Sequence, residues 1–281
     1  PGMRQRCALV LRAAPRGLRE LARRLLYVDL WNAGLVHAPI HSFLRPGYVP
    51  EVRWLPTAGR GRLSADPFAL EHEGRLWMLY EALEFAEGRG YLVAREFDAQ
   101  GFGAERSVLR TPFHLSYPFL LRHAGESYCV PESCAAGEVA LYRAVRFPDE
   151  WQKVATLLAG FRGVDSTLVF WNERWWCFTS EKGDAHGSKL QLFHADELHG
   201  PWLPHPRNPV KIDVRSARGA GTPFVHEGAL YRPSQDYSVK LEGRITLNRV
   251  VTLDRERFEE QPVATVGPFA ATPFPDKFHT L

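Results

Sequence analysis

One pattern recurs along this 281-residue chain: a short strand, a tight turn and a second alternating strand. It begins at Asp66, Tyr117, Asp165 and Thr222, and the turns fall at Gly74, Gly125, Glu173 and Gly228. The turn-to-turn intervals are 51, 48 and 55 residues. A unit of that length, strand-rich and bounded by Gly or Asn turns, cannot bury its apolar face alone and must stack on its neighbours. The third copy replaces glycine by Asn172-Glu173. After each hairpin comes further alternation, as in Tyr91–Phe97, Glu138–Ala144 and Leu190–Ala195. Four strands per repeat read as one propeller blade.

Four copies leave two orphan strand patterns, Tyr27–Val36 and Phe278–Leu281. Joining them predicts a composite last blade, and therefore an all-β, five-bladed β-propeller over residues 27–281. Residues 1–26 read as a separate basic helical segment, with Leu18, Leu21, Ala22 and Leu25 on one face. Pro1-Gly2 before Met3 looks like a tag remnant, and the abrupt end at Leu281 leaves a continuation of the native chain as the expectation.

Charge is concentrated at that start. Residues 4–24 hold seven arginines against Glu20, whereas the whole chain is only +3, so the remainder is slightly acidic. A broad basic face is absent and nucleic acid is not an expected partner. No run of eighteen apolar residues would span a membrane. Cys7, Cys129, Cys134 and Cys177 lack metal-ligand spacing, and Cys129 and Cys177 lie in apolar strands. Reduced thiols and a cytoplasmic location follow as the expectation. Neither a metal nor a cofactor is expected.

In a propeller the innermost strands line the axis, so charged residues at their ends carry weight. Asp66, Glu81, Tyr117, Glu132, Asp165 and Asp236 recur there. Converging carboxyls suit glycoside cleavage, which needs one acid and one base or nucleophile. The alternative for each acid is a strand-end cap. The run 213–221, rich in small residues, carries Arg215, Ser216 and Arg218 just before the fourth repeat, and Arg232, Gln235 and Asp236 follow. Such a set suits an anionic or polyhydroxylated group, or internal pairing with the acids. His114 and His279 are candidates for the axis, whereas His72, His123 and His226 precede the turns and read as structural.

Several longer strings are specific: Phe113–Phe119 (FHLSYPF), Pro131-Glu-Ser133, Glu138–Ala144 (EVALYRA), Gly200-Pro-Trp202, Asn208-Pro-Val210, Asp213–Arg218 (DVRSAR) and Tyr231–Asp236 (YRPSQD). Across Trp31–His279 the chain resembles the N-terminal propeller domain of the glucosamine inositolphosphorylceramide transferase family. In plant members that domain precedes a separate glycosyltransferase domain, which implies a partner enzyme domain. More distantly, Ser64-Ala-Asp66-Pro-Phe and Tyr80-Glu81 are similar to the first blade of five-bladed furanosidase-type glycosidases. That likeness implies Asp66 as base, Glu132 as acid and Asp165 as orienting carboxylate, although the later acids come as Glu then Asp. Arg215, Arg218 and Arg232 would bind an anionic or hydroxylated group. The reading is a carbohydrate-active propeller taking a glycan, sugar or sugar phosphate at an axial pocket, with hydrolysis or transfer by paired carboxylates. Its rivals are a non-catalytic glycan-binding module and an enzyme of unrelated biosynthetic chemistry.

Overall fold

The computed structural model describes residues 30–184, 187–238, 243–269 and 271–281. The basic segment expected over residues 1–26 lies outside the described residues.

A short ribbon comes first, β1 (Gly34–Val36) paired antiparallel with β2 (Val52–Trp54), with a 3-10 turn at Ile40–Leu44 between them. Blade 1 follows: β3 (Arg62–His72), β4 (Arg75–Glu84), β5 (Arg89–Asp98), β6 (Gly101–Phe102) and β7 (Arg106–Leu109). Blade 2 is β8 (Ser116–His123), β9 (Glu126–Glu132), β10 (Glu138–Arg146) and β11 (Glu150–Ala159). Blade 3 is β12 (Gly163–Trp171), β13 (Arg174–Glu181), β14 (Lys189–Ala195), β15 (Leu203–Pro204) and β16 (Lys211–Ile212). Blade 4 is β17 (Phe224–His226), β18 (Ala229–Asp236), β19 (Arg244–Leu253) and β20 (Phe258–Val266). Within each blade the strands pair antiparallel in chain order, apart from two outer strands, β7 on β5 and β16 on β14.

The first hairpin of every blade closes where the sequence places its turn. Both central residues have positive φ: Glu73 and Gly74, Ala124 and Gly125, Asn172 and Glu173, Glu227 and Gly228. That is the type I′ geometry whose twist matches the flanking strands. Apolar faces then stack between sheets. Leu79, Phe119, Val130, Leu141 and Leu168 join blades 1, 2 and 3, and Trp176, Phe178, Leu190 and Leu230 join blades 3 and 4.

The blade count corrects the sequence reading: there are four blades, not five. The sector between blades 4 and 1 holds the β1–β2 ribbon, the 3-10 turn and the tail after β20. Ala33, Leu35 and Leu55 pack on Met78, Tyr80 and Val93 of blade 1. Phe43, Phe278 and Leu281 pack on Ile245, Leu247 and Val266 of blade 4. Proline explains why that sector holds only a two-stranded ribbon and no four-stranded blade. Pro39, Pro46, Pro50 and Pro56 interrupt the first piece, and Pro268, Pro273 and Pro275 the second. Each lacks the N–H a ladder needs. The tail nevertheless closes the circle, because Leu281 N donates to Ala220 O at 2.8 Å and Thr280 Oγ1 to Asp66 Oδ1 at 3.0 Å.

Cys129, Cys134 and Cys177 are buried free thiols. Among the described residues no helix is long and apolar enough to cross a membrane.

Candidate functional site

The site is assembled by one irregularity repeated in three blades. The innermost strands β3, β8 and β12 each break register near their start, between Ala65 and Phe68, Ser116 and Phe119, and Val164 and Thr167. At each break a non-glycine residue has positive φ: Asp66 (51°), Tyr117 (45°) and Asp165 (50°). Such bulges re-aim a side chain, and they are strained enough to need support from their surroundings. The register also fixes a second residue beside each bulge. Glu81 pairs with Ala65, Glu132 with Ser116 and Ser180 with Val164, each seven positions after its turn. Gln235 takes the same place in blade 4, with its backbone N–H on Arg218 O at 2.9 Å.

The run 213–221 forms the fourth wall. Ser216, Ala217 and Ala220 are fully buried. Tyr117 Oη accepts from Gly221 N at 2.7 Å, tying blade 2 to this loop. At Gly219 a side chain would strike the Asp165 carbonyl, so glycine allows the approach. Arg218 is thereby delivered to the acids. Its Nε donates to Asp165 Oδ2 at 2.5 Å and its Nη1 to Tyr237 Oη at 2.7 Å. Gln235 Nε2 donates to the same Asp165 oxygen at 2.9 Å and to Gly219 O at 2.7 Å.

Four buried carboxyls thus gather here, and one of them, Asp165, holds the Arg218 guanidinium. Asp66, Glu81, Glu132 and Asp165 are 8, 6, 8 and 1% exposed. Buried carboxylates cannot all ionise side by side. Burial opposes the charge on Asp66, but His279 (Nδ1 to Oδ1, 2.9 Å), Thr280 and Arg218 hold its carboxyl below the ordinary range. Burial, then Asp66 and Glu132, push Glu81 well above it. Burial and Asp165 raise Glu132 to about 7, against Arg218 and the Cys134 thiol, which donates to its Oε1 at 3.2 Å. Burial and Asp165 keep the Tyr117 phenol neutral. The site therefore holds Asp66, kept below the ordinary carboxylate range, beside Glu81 and Glu132, both pushed above it.

His114 is tuned by the backbone. Gly90 N–H donates to its Nδ1 at 2.9 Å, which leaves the hydrogen on Nε2, 3.4 Å from Glu81 Oε1. Burial and Lys182 lower its pKa, so the ring stays neutral.

The structure therefore brings together Asp66, Glu81, His114, Tyr117, Glu132, Asp165, Arg218, Gln235 and His279. It places four other candidates elsewhere. Arg215 is largely exposed and paired with Asp213 at 3.2 Å. Ser216 Oγ donates to Asp213 Oδ2 at 2.8 Å. Arg232 is buried against Glu260 (Nε to Oε2, 2.9 Å), because the alternation of β18 turns it away from the axis. Asp236, the next residue after Gln235, faces Ser238 N and Oγ at 2.8 and 2.6 Å. Thr280, Cys134, Tyr237 and Ser180 were missed. Counting seven residues on from each turn finds Ser180; nothing in the sequence links Thr280 to Asp66, 214 positions away. Among the described residues no group of three His, Cys, Asp or Glu side chains is arranged to hold a metal.

Residues 57–268 match the family described as glucosamine inositolphosphorylceramide transferase 1, N-terminal. Proteins called glucosamine inositolphosphorylceramide transferase 1 are similar to this chain: that of Oryza sativa subsp. japonica is 34% identical over 207 residues, and that of Arabidopsis thaliana 32% over 206. Each match covers 71% of this chain, which spans only 28% and 27% of those proteins. Among solved structures, a family 117 glycoside hydrolase from Zobellia galactanivorans superposes with a TM-score of 0.55 at 16% identity, covering 78% of this chain and 75% of that one. An α-L-arabinofuranosidase from Lactobacillus brevis gives 0.56 at 11%, covering 75% and 80%. At such identities the likeness is one of fold.

Proposed function

The chain belongs to the glucosamine inositolphosphorylceramide transferase 1 N-terminal family, and from that premise we propose that its propeller binds a glycan or glycoconjugate at the axial carboxyl cluster and cleaves or transfers a glycosidic bond there. The observation that carries this reading is the division of protonation inside one buried cluster. Asp66 is held ionised by His279, Thr280 and Arg218, whereas Glu132 keeps its proton to about pH 7. Glycoside chemistry needs that pair: a carboxylate to activate water or attack the sugar, and a carboxylic acid to protonate the leaving oxygen. Asp165, neutralised by Arg218, orients the guanidinium and raises Glu132. The names of the similar proteins, a sugar transferase and two glycosidases, agree with this chemistry. The buried free thiols fit a reducing compartment such as the cytoplasm.

A second reading has its own observation. Asp165 Oδ2 is held by both Arg218 and Gln235, as expected of a preorganised binding wall. In that case the propeller holds the glycan for a transferase domain elsewhere in a longer protein.

Hydrolysis of p-nitrophenyl β-D-galactopyranoside and α-L-arabinofuranoside separates the two. Under the first reading, Asp66→Asn and Glu132→Gln each lose about 10²- to 10⁴-fold in kcat, the usual share of general acid–base catalysis. Turnover absent in the wild type, with glycan binding retained, establishes the second.

A further inference from the structure

Two buried oxygens at the cluster have no hydrogen-bond partner among the described residues: Ser180 Oγ and Gln235 Oε1. Both residues occupy the position that carries Glu81 in blade 1 and Glu132 in blade 2. They are 1% and 0% exposed. A buried polar atom left unpaired is costly and calls for an explanation. The Gln235 amide cannot turn over to relieve it. Its nitrogen already donates to Asp165 Oδ2 and Gly219 O, both acceptors, so the oxygen is the atom left without a partner.

We propose that Ser180 Oγ and Gln235 Oε1 form a hydroxyl-binding subsite on the blade 3–4 side of the axis, opposite Asp66 and Glu81, taking hydroxyls of the ring whose linkage faces the acids. Gln235 Oε1 can only accept, so the group it meets must donate a hydrogen. A phosphate dianion or a carboxylate has none to give and would also meet the Asp165 carboxylate. A sugar hydroxyl donates to Gln235 and, through a second lone pair or a neighbouring hydroxyl, accepts from Ser180. The subsite rests on the glycan reading above and adds to it that the recognised part of the ligand is neutral. Blades 1 and 2 then carry the protons and charge, and blades 3 and 4 read the ring.

Ser180→Ala tests this cleanly, because the hydroxyl it removes makes no internal bond. The protein without sugar should melt at or above the wild-type temperature. Titrations with methyl β-D-galactopyranoside, methyl α-L-arabinofuranoside and the monodeoxy analogues of each give the second measurement. The wild type should lose about tenfold or more in affinity on deletion of one particular hydroxyl, the scale of one hydrogen bond. Ser180→Ala should bind the parent glycoside about tenfold more weakly and be indifferent to that same deletion. A melting temperature several degrees below wild type, or glycoside affinities unchanged by the substitution, overturns the subsite and leaves the glycan reading standing. No binding of either glycoside to the wild type overturns the glycan reading, and the subsite with it.

Discussion

Glu132 and Arg218 govern the site, and both effects can be measured. A carboxyl whose pKa rises on folding, here from 4.5 to about 7, is most favourable to the fold below its unfolded value. That contribution is lost as pH climbs through 7. The displacement corresponds to about 3 kcal/mol. Stability should therefore fall between about pH 4.5 and 7 in the wild type, and less steeply in Glu132→Gln. Urea midpoints across that range check it; equal slopes would place the raised pKa elsewhere. Arg218→Met leaves Asp165 buried without its cation, with a loss of about 3–5 kcal/mol. Arg215→Ala removes only an exposed pair and should shift stability by no more than about 0.5 kcal/mol. Composition and repeat position pointed to both arginines. The sequence could not tell them apart, because only the fold of the 213–221 loop decides which guanidinium faces the acids.

At the scale of elements, the hairpins were legible because their turns need positive φ and the sequence supplies Gly or Asn there. The bulges at Asp66, Tyr117 and Asp165 were legible only as positions of the repeat. Their register break, which turns the side chains to the axis, has no residue signature beyond Asp or Tyr before Pro or Ser. Strand alternation separates neighbours just as sharply. Gln235 enters the cluster while Arg232 and Asp236 do not, and a repeat counted one residue out selects the wrong one. The loop carrying Arg218 makes its own prediction. Gly221 has φ 134°, and a side chain there would collide with the Leu281 carbonyl. Gly221→Ala should therefore displace the tail, cost on the order of 1–3 kcal/mol, and release the Thr280 bond to Asp66. A melting curve gives the first effect and the chemical shift of Asp66 the second. An unchanged protein would mean that the tail closes the circle in some other way.

At the scale of the molecule, four sheets and a proline-broken sector enclose one buried acidic cluster, to which every blade contributes. Long strings of sequence identified the family and the propeller. The sequence reading of five blades was wrong by one, because two orphan strand patterns at opposite ends look alike whether they form a blade or merely cover one. The repeats carried most of the cluster; the support from Thr280 and Cys134 comes from a coil tail and a 3-10 turn outside the strands and has no periodicity to betray it. What the molecule does rests on whether that cluster is a ligand site. The direct measurement is a crystal structure of the protein soaked with sugars and sugar phosphates. The account predicts a sugar ring at the axis, its hydroxyls or linkage oxygen within hydrogen-bond reach of Asp66 and Glu132, and the Asp165–Arg218 pair intact. A sugar bound only on an outer face of the blades, with the four carboxyls satisfied among themselves and by ordered water, would contradict it.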